Sequence, residues 1–166
     1  PALRIGAAGL FADRHARLSH RGEAWVLEDL RTANGIYRRV KGSVDLDAGD
    51  YFRLGRQLFR VTSHAELFGA APPPLPPTDV AYFGSPDPAV GAYLSHLLAT
   101  RRTGHLISSV PGSARVVGRE SGDLSFPQDD YLSGRHAQIE ARAGGGVRVS
   151  DLGSTNGLYV RLTAPT

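Results

Sequence analysis

The chain has 166 residues, 41% of them hydrophobic and 21% charged, with a formal net charge of +3. That apolar share supports a buried core and argues against wholesale disorder. The absence of cysteine excludes disulfides, a thiolate nucleophile and cysteine-ligated zinc. No apolar run reaches the roughly 18 residues of a membrane-spanning helix, and the small residues of 1–9 lack a signal-peptide pattern. A cytoplasmic location is expected from these features. A chain opening on Pro1 instead of Met is read as trimmed or as a fragment. Lys41 is the only lysine. The clusters Arg38, Arg39, Lys41 and Arg101, Arg102 are read as solvated surface, because so small a surplus does not argue for nucleic acid.

In chain order, short apolar runs at 24–27, 51–54 and 57–61 are rich in aromatic or branched residues and bounded by Gly, Asp and Asn, which predicts strands. The run 70–78, with Pro72, Pro73, Pro74, Pro76 and Pro77, can form neither helix nor central strand and predicts an extended polyproline spacer. Beyond it, Val90, Tyr93, Leu94, Leu97 and Leu98 have helical spacing, which is read as a helix over 90–100 or equally as an extended lead-in. The runs 105–110, 114–117 and 147–149 predict further strands. The expected organisation is a front module over 1–62, a linker over 63–90 and a back module over 91–166. Many short strands with glycine-rich turns point to a sandwich or barrel.

The two flanks repeat each other. Arg14-His15-Ala16-Arg17-Leu18 recurs as Arg135-His136-Ala137-Gln138-Ile139, and the block from Asp29 to Tyr37 recurs from Asp151 to Tyr159. Two blocks preserved in order and spacing indicate a tandem duplication of one β module. The back copy gathers chemistry on three loops: Gly118-Arg119 after a strand, Ser133-Gly134-Arg135-His136, and the turn Gly153-Ser154-Thr155-Asn156-Gly157. Arginine offers a planar fork matched to phosphate, while hydroxyls add donors. An asparagine side chain can satisfy an extended peptide backbone. Loops at one end of a rigid sandwich are common places for a binding site.

The succession Gly118-Arg119, Ser133-x-x-His136 and Asp151-x-Gly153-Ser154-Thr155-Asn156-Gly157 strongly resembles the forkhead-associated (FHA) domain. The resemblance implies an eleven-stranded antiparallel β-sandwich that binds phosphothreonine peptides through its loops. The expected fold class is thus all-β, two such sandwich modules joined by the proline-rich linker. By position, Arg119 and Ser133 would grip the phosphate, Thr155 would add to that end, and Asn156 would hold the peptide backbone. His136 would brace the loops, Gly118 closes the strand before Arg119, and Gly157 would permit the turn. Gly134 stands where the family often carries Arg or Asn, so one peptide contact is missing there.

The front copy lacks this chemistry: Gly6-Ala7 matches Gly118-Arg119, Ala12 matches Ser133 and Ala33 matches Thr155. Each copy also lacks strands the family requires, the front its first and the back its last. Each therefore leaves a sheet edge open to strand addition, and the two copies are expected to complement each other within or between chains. No catalytic signature occurs, and Asp129 with Asp130 is a poor acid/base pair because neighbouring loop residues rarely form one. Neither an enzyme nor a cofactor or metal site is expected. The leading function is phosphothreonine reading in Ser/Thr-kinase signalling, carried by the back copy and partnered by a phosphothreonine protein. The alternative is a phosphate-independent structural or oligomerising FHA-like protein, self-associating through sheet edges. Neither a nucleic-acid nor a membrane partner is expected.

Overall fold

The computed structural model describes residues 9–69, 91–143 and 145–163. The proline run, the Gly6-Ala7 pair and the chain ends lie outside the described residues. The front copy contributes β1 (Ala16–Arg21), β2 (Ala24–Asp29), β3 (Tyr37–Val40), β4 (Ser43–Leu46), β5 (Tyr51–Leu54) and β6 (Gln57–Thr62). A one-turn helix α1 (His64–Phe68) follows, opening the segment read as linker. Ser63 caps it, its Oγ accepting from the Glu66 N–H at 3.2 Å. The back copy contributes β7 (Ala92–Leu97), β8 (Thr103–Ser109), β9 (Ala114–Gly118), β10 (Leu124–Ser125), β11 (Ala137–Ala141), β12 (Val147–Asp151) and β13 (Leu158–Arg161). The all-β class with predominantly antiparallel pairing is as expected; among the described residues only β9–β10 is parallel.

These strands form a five-stranded sheet, ordered β10-β9-β11-β12-β4, and a six-stranded sheet, ordered β3-β13-β5-β6-β7-β8. Both sheets mix the two copies. Val44 of β4 stands opposite Val149 of β12, Val40 of β3 opposite Leu158 of β13, and Val61 of β6 opposite Leu94 of β7. The complementation expected from the open edges therefore occurs within the chain: β3–β6 supply the strands that the back copy lacks. Between the sheets lies one core, to which Leu46, Phe52, Leu54 and Phe59 come from the front copy and Val117, Ile139, Val149 and Leu158 from the back. Phe52 and Phe59 stack at 5.1 Å. Full burial of each such side chain contributes roughly 1.5–3 kcal/mol, and both copies supply that burial to the one core.

The hairpin β1–β2 stays outside this core. Among the described residues its two strands pair only with each other, and Leu18 and Trp25 are 62% and 66% exposed.

Of the two readings of 90–100, the helical one is overturned: the segment holds the strand β7, and the cause is clear. Its residues are buried on both faces, and it is inserted between β6 and β8. A short strand buried on both faces is apolar without period-2 alternation, so its spacing imitates a helix. Ser95 hydrogen-bonds the Thr62 hydroxyl at 3.0 Å, which satisfies the buried polar side chain.

Candidate functional site

Three loops meet at one end of the sandwich, and each is built by local sequence. Gly118 ends β9 where a Cβ would collide with the Gly134 and Ser121 carbonyls, so only glycine lets the two loops close. The Arg119 N–H then donates to the Ser133 carbonyl at 2.9 Å, and the Ser121 N–H to the Gly134 carbonyl at 3.2 Å. The third loop is a turn made by its own side chains. The Asp151 carboxylate accepts from the Ser154 N–H at 3.0 Å, and Ser154 Oγ accepts from the Gly157 N–H at 2.9 Å. Gly157 sits at φ 85°, in the left-handed region that favours glycine.

His136 ties the loops together from beneath. It is fully buried; its Nδ1 accepts from the Ser133 N–H at 3.1 Å, which leaves Nε2 as the protonated nitrogen that donates to the Gly157 carbonyl at 3.1 Å. Ser133 Oγ accepts from the Thr155 N–H at 3.2 Å, so its own O–H remains available as a donor. Asn156 Nδ2 donates to the Tyr131 carbonyl at 2.9 Å, leaving its Oδ1 and a second N–H for another partner. Arg119 is half-buried; Thr155 and Asn156 are exposed. Arg119, Ser133, Gly134, Thr155 and Asn156 are thus gathered at one surface, with Gly118, His136 and Gly157 beneath it.

Two residues that position this surface were given other readings in the sequence, Arg39 as solvated surface and Asp129 as half of a poor acid/base pair. Arg39, on β3 of the front copy, lies against Gly157, and its Nη2 donates to the Thr155 carbonyl at 3.4 Å. Asp129 is buried at 2% exposure. Its carboxylate accepts from the Arg56 N–H at 2.8 Å, Gln57 Nε2 at 2.6 Å and the Tyr131 N–H at 3.0 Å. It thereby fixes the loop leading to Ser133 against the β5–β6 turn. Extending the repeat by two residues would have matched Arg39 with Arg161. Asp129 carried no such signal, because its partners are distant in sequence. Beside Asn156 runs a groove of about 360 Å³ lined by Arg53, Gly55, Arg56, Tyr131, Asn156 and Tyr159. Arg53 stacks over Tyr159 at 4.9 Å and Arg56 over Tyr131 at 4.6 Å, which makes its walls both basic and aromatic.

The front copy reproduces the scaffold of the site without its anion donors. His15 Nδ1 accepts from the Ala12 N–H at 3.2 Å, and Nε2 meets the Gly35 carbonyl at 3.1 Å. Asn34 Nδ2 donates to the Leu10 carbonyl at 2.8 Å, as Asn156 does to Tyr131. Thr32 takes the place of Ser154, its N–H bonded to Asp29 at 3.1 Å and its Oγ1 accepting from the Gly35 N–H at 3.2 Å. Burial opposes ionisation of Asp29, but the Thr32 N–H and hydroxyl and the Arg161 guanidinium outweigh it and hold the carboxyl below its ordinary range.

The repeat is therefore one of hydrogen-bond geometry as well as of sequence. Comparison with curated proteins and with solved structures gave no match. The family model of the FHA domain matches twice, over residues 7–55 and 115–164. The loops, the brace and the sandwich agree with that double match, and the chain belongs to the FHA domain family, whose members are generally phosphopeptide-binding modules in signalling.

Proposed function

We propose that this chain reads phosphothreonine proteins in Ser/Thr-kinase signalling, and that the loops of the back copy carry the binding. The observation that supports this is the convergence of Arg119, the free O–H of Ser133 and the Thr155-Asn156 turn, tied by the Thr155 N–H to Ser133 Oγ contact of 3.2 Å. A phosphothreonine dianion needs charge-assisted donors, each worth roughly 1.5–3 kcal/mol. Arg119 supplies the charge and fork, Ser133 and Thr155 supply hydroxyls, and Asn156 holds the peptide backbone. Gly134 leaves the phosphate approach open. The front copy has alanine at all three donor positions, Ala7, Ala12 and Ala33; its part is to supply β3–β6 and the brace from Arg39. The division into 1–62, 63–90 and 91–166 then describes the ancestry of the strands, while the working unit draws on both copies. The role asks for no catalysis and no cofactor, and it fits a cytoplasmic protein.

Calorimetry of the full chain with phosphothreonine, phosphoserine and unmodified peptides tests the proposal. Arg119→Ala is expected to weaken phosphothreonine binding about tenfold or more. Arg119→Lys should rescue part of the loss, because an ammonium keeps charge without the planar fork. Full affinity in Arg119→Ala defeats the assignment. A second reading, phosphate-independent association, draws on the exposed Leu18 and Trp25 of the unpaired hairpin. Equal affinity for phosphorylated and unmodified peptides would favour it.

A further inference from the structure

We infer that Glu120 selects ligands carrying a basic residue beside the phosphothreonine. The inference rests on the phosphothreonine reading and deepens it. Both Nε and Nη2 of Arg119 donate to Glu120 Oε1, at 3.1 and 2.7 Å. The other carboxylate oxygen, Oε2, lies 3.7 Å from the point where a Cβ on Gly134 would stand. The carboxylate therefore reaches from Arg119 towards the residue after Ser133, across the two loops that would clamp the phosphate. Gly134 makes this possible, since a longer side chain there would contend for the same space. In the free protein Glu120 occupies the guanidinium that the phosphate needs.

The pair is easily exchanged. The Glu120 side chain is 66% exposed and that of Arg119 35%, so solvent screens the contact and its net worth is small. A phosphate carries about −1.5 to −2 charge at pH 7 and three acceptor oxygens, against one charge on the carboxylate. It displaces Glu120 from Arg119. Among the described residues Arg119 is the only cation paired with Glu120. Once displaced, the carboxylate stands unpaired beside a dianion. An arginine or lysine next to the phosphothreonine restores its partner, and the resident ion pair becomes two intermolecular ones. An acidic neighbour meets repulsion from Glu120 at the same place. The ligand class is a phosphothreonine flanked by basic residues.

The test uses the full chain and a peptide library with a fixed central phosphothreonine and randomised neighbours. The wild-type protein is expected to enrich Lys or Arg beside the phosphothreonine about two- to fivefold, the range of an exposed ion pair. Glu120→Gln should abolish that enrichment while phosphothreonine is still preferred over threonine. Glu120→Lys should reverse it towards Asp and Glu. Glu23→Gln, on the remote β1–β2 turn, makes the same change in net charge and should leave the preference intact. No flanking preference in the wild type, or one that survives Glu120→Gln, overturns the inference and leaves the phosphothreonine reading standing. Equal binding of phosphorylated and unmodified libraries overturns both.

Discussion

Arg39 and Arg161 occupy equivalent positions of the repeat, and each guanidinium lies over the turn glycine of the opposite copy, Arg39 over Gly157 and Arg161 over Gly35. Arg39 donates to the Thr155 carbonyl at 3.4 Å and Arg161 to the Thr32 carbonyl at 2.8 Å. The exchange follows from the antiparallel pairing of β3 with β13, which sets Tyr37 opposite Arg161 and Arg39 opposite Tyr159. Two copies of one segment, related by this local twofold arrangement, brace each other's loops. Only one of those loops carries the donors of the candidate site.

Arg39→Ala should therefore weaken phosphothreonine-peptide binding several-fold, although Arg39 belongs to the front copy. The neighbour Arg38 is exposed, and among the described residues its side chain has no hydrogen bond to the turn, so Arg38→Ala should leave affinity within about twofold. Fluorescence anisotropy with one phosphothreonine peptide compares the two variants. Equal losses would mean that general charge, not the brace, matters.

The shared core predicts the behaviour of fragments. Residues 91–166 alone lack β3–β6 and should remain unfolded and silent towards phosphopeptide. Co-expressed with residues 9–69, they should be recovered as one folded complex that binds as the intact chain does. Circular dichroism and size-exclusion chromatography read the outcome. A folded, binding-competent 91–166 fragment would refute the single-core description. In the intact chain, Phe59→Ala should cost about 3–5 kcal/mol, whereas Trp25→Ala should change stability by no more than about 0.5 kcal/mol.

Asp129 satisfies three N–H groups from two parts of the chain. Asp129→Ala leaves those donors unpaired inside the protein and should destabilise it by about 2–4 kcal/mol. Affinity for phosphopeptide should fall as well, because the loop ending at Ser133 loses its anchor. Asp129→Asn retains one acceptor oxygen and should lose less on both counts. Urea denaturation and peptide titration distinguish these effects; unchanged stability in Asp129→Ala would contradict the anchor.

His96 gives stability a pH dependence. Burial against Phe59 and Phe126 pushes its pKa below the ordinary histidine value, and the neighbouring His105 adds to the shift. Its Nε2 pairs with Gln57 Oε1 at 3.0 Å. A histidine with a lowered folded pKa is neutral in the fold, while the unfolded chain takes up the proton first. The contribution of His96 is complete above about pH 6.5 and declines as the pH falls below it. Thermal melts from pH 7.5 to pH 5 should show this decline, and His96→Gln should reduce it.

Much of this protein was legible in its residues. Strand-forming runs, turn glycines, the tandem repeat and the loop series ending in Ser154-Thr155-Asn156-Gly157 are local patterns, and local patterns survive in one dimension. They were enough for the all-β class, the family and the surface where Arg119, Ser133 and Asn156 meet. Pairing is different, because a strand's edge does not name its partner. The repeat pointed to open edges, but only the tertiary structure set β4 beside β12 and β6 beside β7, joining the two copies into one sandwich. The same non-local packing turned the helical spacing over 90–100 into β7, since burial on both faces removes the alternation that marks a strand. It also decided the roles of Arg39 and Asp129. Their partners stand 116 and about 73 residues away along the chain, and such contacts exist only once the sheets have formed.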